Sequence, residues 1–278
     1  MFDECRASEF GTMNASPQTT SGRLSGRVAI VTGGAGGLGA AICRALASEG
    51  AAIIVGYHRS GDAARALAAS LPCAGSRSLQ HVALSAPVTD SAALLQLAND
   101  IEQCYGRLDI LVNCAGITRF VPHADLDALD DALIDDVLAT NVRGPLAAVR
   151  ALRHLLARGV GNGVPPALIV NISSIAAVTA VGSNIVYCAS KAALDNITKS
   201  LARALAPLIR VVSISPGLVD TEFVKKMDVE WRNAQVANTP LSRLATPDEV
   251  ADAVVAAATF FTFSTGCVFA VDGGRPLA

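Results

Sequence analysis

The sequence predicts a single doubly wound α/β domain: about seven parallel strands with helices on both faces. Three observations carry this. Short apolar, β-branched runs alternate with helical stretches from Val28 to Val271, the pattern of repeated βαβ units. The strand runs are apolar throughout rather than alternating, as in a parallel sheet covered on both sides. No internal boundary interrupts the alternation. The Gly-Val-Gly-Asn-Gly-Val-Pro-Pro stretch, 159–166, runs straight into a strand and so reads as a loop.

The elements follow in order. Val28–Val31 is the first strand, followed by glycines and an apolar helical pattern over 38–47. The second strand is 51–55 and the second helix 62–71. A strand over 79–84, a helix over 91–105 and a strand over 108–112 come next. One long helical stretch covers about 129–157. The fifth strand is 167–172, a helix runs over 187–206, and the sixth strand is 210–214. A polar, irregular segment follows. Thr246-Pro247-Asp248-Glu249 then opens a helix to about 261, with a capping threonine, proline at the first position and glutamate three residues on. The last strand is 267–271. Right-handed crossovers distribute these helices over both faces.

Residues 1–12 carry Ser-Glu-Phe-Gly-Thr before Met13, which resembles translated cloning sites, so an expression leader is expected there. Together with a flexible lead-in rich in Ser, Thr, Gly and Pro, it fills 1–24, and the domain occupies 25–278. Hydrophobic residues make up 51% of the chain and charged residues 17%, enough apolar material for a large core. A net charge of −2 gives no case for nucleic acid or an anionic membrane surface. No apolar run approaches the roughly 18 residues that span a bilayer. No basic segment leads into a short apolar one, so secretion is not indicated. The seven cysteines are scattered without a CxxC, as expected of reduced thiols in a cytoplasmic protein. The four histidines lack metal-ligand spacing, so no metal is expected.

The turn after the first strand reads Thr32-Gly33-Gly34-Ala35-Gly36-Gly37-Leu38-Gly39. Glycines let the backbone turn sharply and approach a pyrophosphate, and the helix beyond offers free N–H groups and a positive dipole end. Its position between a strand and a helix is the context that gives the motif meaning. A second constellation lies at Ser174, Tyr187 and Lys191. A helix starting near Tyr187 brings Lys191, four residues on, to the same face. A free phenol has a pKa of about 10. A nearby cation favours the phenolate, so Tyr187 could exchange a proton with a substrate oxygen.

These segments together resemble the short-chain dehydrogenase/reductase family, and the likeness extends over nearly the whole chain from Gly26. The glycine spacing Gly33, Gly37, Gly39 after Thr32 is that family's, as is Asn113-Cys114-Ala115-Gly116 after the fourth strand. Asn141, the Ser174/Tyr187/Lys191 set, Pro216-Gly217 and Val271-Asp272-Gly273-Gly274 complete the match. The resemblance implies a Rossmann fold and the following roles. Tyr187 donates the proton in reduction. Lys191 lowers its pKa and holds the nicotinamide ribose. Ser174 binds the substrate oxygen and Asn141 holds a water that leads from Lys191 to solvent. Ser173 is structural. The cofactor-binding set is Gly33, Ala35, Gly36, Gly37, Leu38, Gly39, Tyr57, His58, Arg59, Cys114, Ala115, Gly116, Tyr187, Lys191, Pro216, Gly217, Val219 and Thr221.

At the end of the second strand Tyr57 stands where an acid would bind the ribose diol of NAD, and Arg59 could pair with a 2′-phosphate. NADP(H) is therefore favoured, with NAD(H) the alternative. Pro87 and Cys114 replace polar residues of the family pattern, which puts the adenine contacts in question. Phe223, Met227 and Trp231 could line an apolar pocket or pack as a lid. Gly116-Ile117-Thr118-Arg119 and 239–244 resemble the 3-oxoacyl-(acyl-carrier-protein) reductases, implying reduction of a 3-oxoacyl thioester and an acyl carrier protein as a partner. Leu208 stands where that subgroup has a basic residue, and Arg158 is a loose counterpart of another. The alternatives are a dehydrogenase of a small secondary alcohol, sugar alcohol or steroid-like substrate, and a non-catalytic nucleotide-binding regulator. The family's usual homotetramer is the expected assembly, with the apolar helices about 133–157 and 187–206 available for it.

Overall fold

The computed structural model describes residues 22–72, 79–158, 160 and 165–277. The leader and most of the lead-in therefore lie outside the described residues, as does most of the 159–166 loop. Seven parallel strands form one sheet in the order β3-β2-β1-β4-β5-β6-β7. They are β1 Val28–Thr32, β2 Ala52–Tyr57, β3 Val82–Ser85, β4 Ile110–Asn113, β5 Ala167–Ile172, β6 Ile209–Pro216 and β7 Val268–Val271. The helices are α1 Gly37–Ser48, α2 Gly61–Ser70, α3 Ser91–Tyr105, α4 Asp131–Leu138, α5 Gly144–Arg158, α6 Ala176–Thr179, α7 Ile185–Leu205, α8 Glu222–Lys225, α9 Val229–Ala237 and α10 Pro247–Thr259.

The central strands β1, β2, β4, β5 and β6 are buried on both faces, and period-two alternation splits their side chains between two cores. Ala29 and Val31 pack with α1, α2 and α10, around Ile42, Leu46, Leu67 and Val254. Val28 and Ile30 pack with α3 and α5, around Leu94, Ile101, Leu152 and Leu155. The chain leaves β1 toward β2 and β3, then returns to β4 on its other side. That reversal opens a crevice beyond the carboxyl ends of β1 and β4, where open α/β sheets bind ligands.

Three expectations need correction. The stretch read as one helix over 129–157 is α4 and α5 joined by a widened π turn, Ala139–Arg143, closed by Gly144 N–H donating to the Ala139 carbonyl. The segment read as irregular holds α8 and α9. No residue of α9 is buried, so it has no periodic apolar face to read. The third strand begins at Val82 rather than Leu79. It pairs with β2 only from Val82 opposite Ile54, while the His81 Nδ1 accepts the Ile53 N–H at 3.0 Å.

Candidate active site

The turn after β1 is shaped by close backbone approach. Gly33 has φ +66°, and a Cβ there would stand 3.0 Å from the Ala115 Cα. A Cβ on Gly39 would lie 2.3 Å from the Gly33 carbonyl oxygen, an impossible contact. The first turn of α1 has no side-chain cap and no acidic residue, so its N–H groups and dipole remain available to an anion. Gly36 and Gly37 are exposed. A Cβ on Gly37 would meet only Thr221, at 4.0 Å. The glycine turn and the segment after Pro216-Gly217 thus converge, although they are far apart in sequence. Ala35, Leu38, Tyr57, Cys114 and Val219 pack against one core cluster. A cradle that a single Cβ would fill, beside an uncapped helix start, fits a dinucleotide phosphate.

Thr32, at the end of β1, ties this turn to β4. Its hydroxyl donates to the Val112 carbonyl at 3.3 Å and accepts the N–H groups of Cys114 and Ala115 at 3.1 and 3.2 Å. Tyr57 lies at the carboxyl end of β2, where its ring would lie 3.1 Å from a Cβ on Gly61. His58 and Arg59 are exposed, and Arg59 enters no ion pair among the described residues. Pro87 opens a turn whose carbonyl accepts the Asp90 N–H at 2.9 Å.

The second part of the site is held by side chains. Asn184 caps α7, its Oδ1 accepting the Tyr187 N–H at 2.7 Å. Its Nδ2 donates to the Arg119 carbonyl at 2.8 Å and to the Thr118 hydroxyl at 3.2 Å. The cap therefore fixes the start of α7 against the segment after β4. Ser174 follows β5, and its hydroxyl accepts the Ala176 N–H at 3.2 Å. It also lies near the Tyr187 phenol and acts to lower its pKa. Ser173 is buried instead, its hydroxyl donating to the Lys191 carbonyl at 3.4 Å.

Lys191 is almost fully buried. Its Nζ donates to the Ile172 carbonyl at 2.8 Å and sits 5.7 Å from the centre of the Tyr187 ring. Burial pushes this ammonium down to about 8, while Cys114 and Asp195 act to raise it. Burial pushes the Tyr187 phenol up, and the neighbouring Ser174 hydroxyl opposes that rise. The ammonium is turned to a backbone carbonyl and is itself desolvated.

Asn141 lies in the π turn, fully buried. Such turns recur at functional sites. Its Oδ1 accepts the Ile117 N–H at 2.9 Å, and its Nδ2 donates to the Ile117 carbonyl and the Ser190 hydroxyl at 3.0 and 3.2 Å. Both amide protons are used. A Cβ on Gly116 would stand 3.3 Å from Asn141 Oδ1 and 3.8 Å from Lys191 Nζ. Gly116 therefore lets β4, the π turn and α7 meet at one point.

One feature has no counterpart in the sequence expectations. Asn113 Nδ2 donates to Asn171 Oδ1, and Asn171 Nδ2 to the Thr198 hydroxyl, each at 2.8 Å. Thr198 gives its only proton to the Leu194 carbonyl at 3.0 Å, so Ser213, 2.8 Å away, is the donor to Thr198. This buried ladder joins β4, β5, α7 and β6 directly beneath the site. The signal available in the sequence was single polar residues inside otherwise apolar runs.

Among the described residues no group of three or more His, Cys, Asp or Glu side chains gathers as a metal site. No helix there is long and apolar enough to cross a membrane. Leu208 and Arg158 lie away from the site, and Arg158 is paired with Glu102 at 2.5 Å.

A family model described as short chain dehydrogenase matches residues 27–231. A cis-4-hydroxycyclohexanecarboxylate dehydrogenase of Sinomonas cyclohexanicum is 39% identical, over 89% of this chain and 96% of its own. A 3-oxoacyl-(acyl-carrier-protein) reductase of Thermotoga maritima is 32% identical, over 91% of this chain and 98% of its own. The fold matches a solved mutant short-chain dehydrogenase/reductase of Serratia marcescens with a TM-score of 0.80 at 35% identity, covering 91% of this chain and 99% of that one.

Proposed function

The chain belongs to the short-chain dehydrogenase/reductase family, and from that premise we propose that it reduces a carbonyl to a secondary alcohol with NADP(H), Tyr187 donating the proton. The observation that carries the reading is the buried Lys191 ammonium 5.7 Å from the centre of the Tyr187 ring, with Ser174 near the same phenol. A bound nicotinamide supplies the hydride, and the protein supplies orientation and proton transfer.

Burial holds the phenol above its ordinary value, so Tyr187 stays protonated at neutral pH and suits the acid role in reduction. Ser174 lies within reach of the same substrate oxygen and stabilises charge as it develops there. The ammonium of Lys191 offsets the phenolate left after proton transfer and is placed to hold ribose hydroxyls. Asn141 fixes the Ile117 backbone, and its own carbonyl offers a water a route from Lys191 outward. The glycines from Gly33 to Gly39 and the α1 start hold the pyrophosphate. Cys114, Ala115 and Gly116 present backbone toward the nicotinamide side, with Pro216, Gly217, Val219 and Thr221 opposite. Arg59, exposed and outside any ion pair among the described residues, supports NADP(H) over NAD(H).

A 3-oxoacyl thioester is the favoured substrate, supported by the likeness to the Thermotoga maritima reductase. Leu208 and the paired Arg158 do not form a basic docking pair, so a free thioester serves better than a carrier-bound one. A second reading, oxidation of a small alicyclic secondary alcohol, draws on the Sinomonas cyclohexanicum relative.

The test is NADPH oxidation against short β-ketoacyl thioesters and simple ketones, with NADP+ reduction by alicyclic alcohols alongside. Tyr187→Phe is expected to lower kcat by about 10²- to 10⁴-fold, the range for general acid catalysis. Undiminished turnover in that variant would refute the mechanism. Tight NADPH binding without turnover on any substrate would favour the non-catalytic regulator.

A further inference from the structure

The buried face of α7 carries more polar groups than packing alone requires. Ser190, Lys191, Asp195 and Thr198 all lie on it, among Cys188, Leu194 and Ala202. The ladder accounts for Thr198 and the Asn141 contact for Ser190. Asp195 has no such explanation. It is only 9% exposed, and its Oδ1 has no hydrogen-bond partner. A buried carboxylate oxygen without a partner is costly, so its presence calls for a cause. The cause lies one turn back: residues i and i+4 share a helix face, and Lys191 is 7% exposed there with one neutral acceptor, the Ile172 carbonyl.

We propose that Asp195 is the counter-charge that keeps Lys191 an ammonium, and so is a positioning residue for the chemistry at Tyr187. The proposal rests on the reading above, in which Lys191 acts in its charged form.

The other charged groups around Lys191 do not serve. Cys114, at the end of β4, is a thiol that burial pushes up to about 11. It is neutral where Lys191 titrates, near 8. Tyr187 is uncharged below its own raised value. β5 and α6 contribute no titratable residue. In the π turn, Arg143 is exposed and donates to the Thr89 carbonyl. On α4, Asp131, Asp135 and Asp136 are exposed, and surface charges are screened by water. Lys199 and Arg203, further along α7, are exposed cations and would oppose the ammonium. Arg210, on β6, is engaged with the carbonyls of Ala257, Phe261 and Ser264. Asp195 is the one buried anion on the helix turn beside Lys191.

The chain has only four lysines, Lys191, Lys199, Lys225 and Lys226, so Lys191 can be followed by NMR titration of isotope-labelled lysine in the full protein. Its signal is assigned by its loss in Lys191→Met. Asp195→Asn is expected to lower the Lys191 midpoint by about one pH unit, the low end for removing an adjacent opposite charge. The alkaline limb of the kcat profile should move down with it, while KM for the carbonyl substrate stays unchanged. Asp195→Glu should restore both. If Asp195→Asn does not fold, Asp195→Ser removes the same charge and should give the same shift. An unchanged lysine titration in the folded charge-removing variant overturns the proposal. A shifted lysine titration with an unmoved rate profile would leave the counter-charge standing and overturn the required ammonium instead.

Discussion

The turn after β1 is held open by the lack of side chains, whereas the start of α7 is held in place by a chain of them. In the first region Gly33 and Gly39 leave no room for even a Cβ, and the α1 start is uncapped. In the second, Asn184, Ser190, Asn141 and Thr198 each spend their polar groups on a named partner. The difference teaches where each half can fail. An added atom ruins the backbone half. A lost donor or acceptor ruins the side-chain half.

The largest effect expected from this contrast comes from Gly39→Ala. The new methyl meets the Gly33 carbonyl, which is backbone and cannot swing away. Overpacking of this kind costs about 1–3 kcal/mol, and here it acts on the turn proposed to face the pyrophosphate. Dinucleotide Kd, measured by calorimetry, should rise at least about tenfold, the equivalent of 1.4 kcal/mol. Urea unfolding of the free chain separates a loss of fold from a loss of cradle.

Thr198→Val probes the other half with a side chain of nearly the same shape. It strands the Asn171 Nδ2 and the Ser213 hydroxyl, and each buried orphan costs about 1–3 kcal/mol. Unfolding free energy should fall by about that much, and Thr198→Ser should recover most of it. Dinucleotide Kd should stay within about twofold, since the ladder shares no hydrogen-bond partner with the glycine turn. If Thr198→Val weakens dinucleotide binding as much as Gly39→Ala does, the two halves are not independent.

The contrast also explains what the sequence made legible. Glycine spacing after a strand is a local signal, because the turn is made within eight residues. Tyr187 and Lys191 are legible for the same reason, being one helical turn apart. The bounds of β5 and α3 follow from unbroken local patterns. The ladder is different: Asn113, Asn171, Thr198 and Ser213 lie in four separate elements, and each looks like an ordinary polar residue until the sheet order joins them. Asn141 was legible as a motif, but its π turn was not, because a continuous helical pattern hides one extra residue per turn. The solvent-facing α9 gave no apolar periodicity at all.

The smallest effect belongs to a residue outside both devices. Arg59 is exposed, at the carboxyl end of β2 and beyond Tyr57. It is fixed neither by backbone crowding nor by a buried partner, so any pairing with a 2′-phosphate is screened by water and must order a long side chain. Exposed ion pairs contribute about 0.2–1 kcal/mol, and the stronger hydrogen bonds to charged groups about 1.5–3 kcal/mol. Arg59→Ala should therefore weaken NADP(H) by about five- to twelvefold, between those two ranges, and leave NAD(H) unchanged. Comparing KM for both cofactors in wild type and variant measures it. The loss should shrink as salt rises, because the contact lies in solvent. A strong NAD(H) preference that survives Arg59→Ala would reverse the cofactor assignment. It would leave the glycine turn untouched, since the proposed pyrophosphate cradle would serve both cofactors alike.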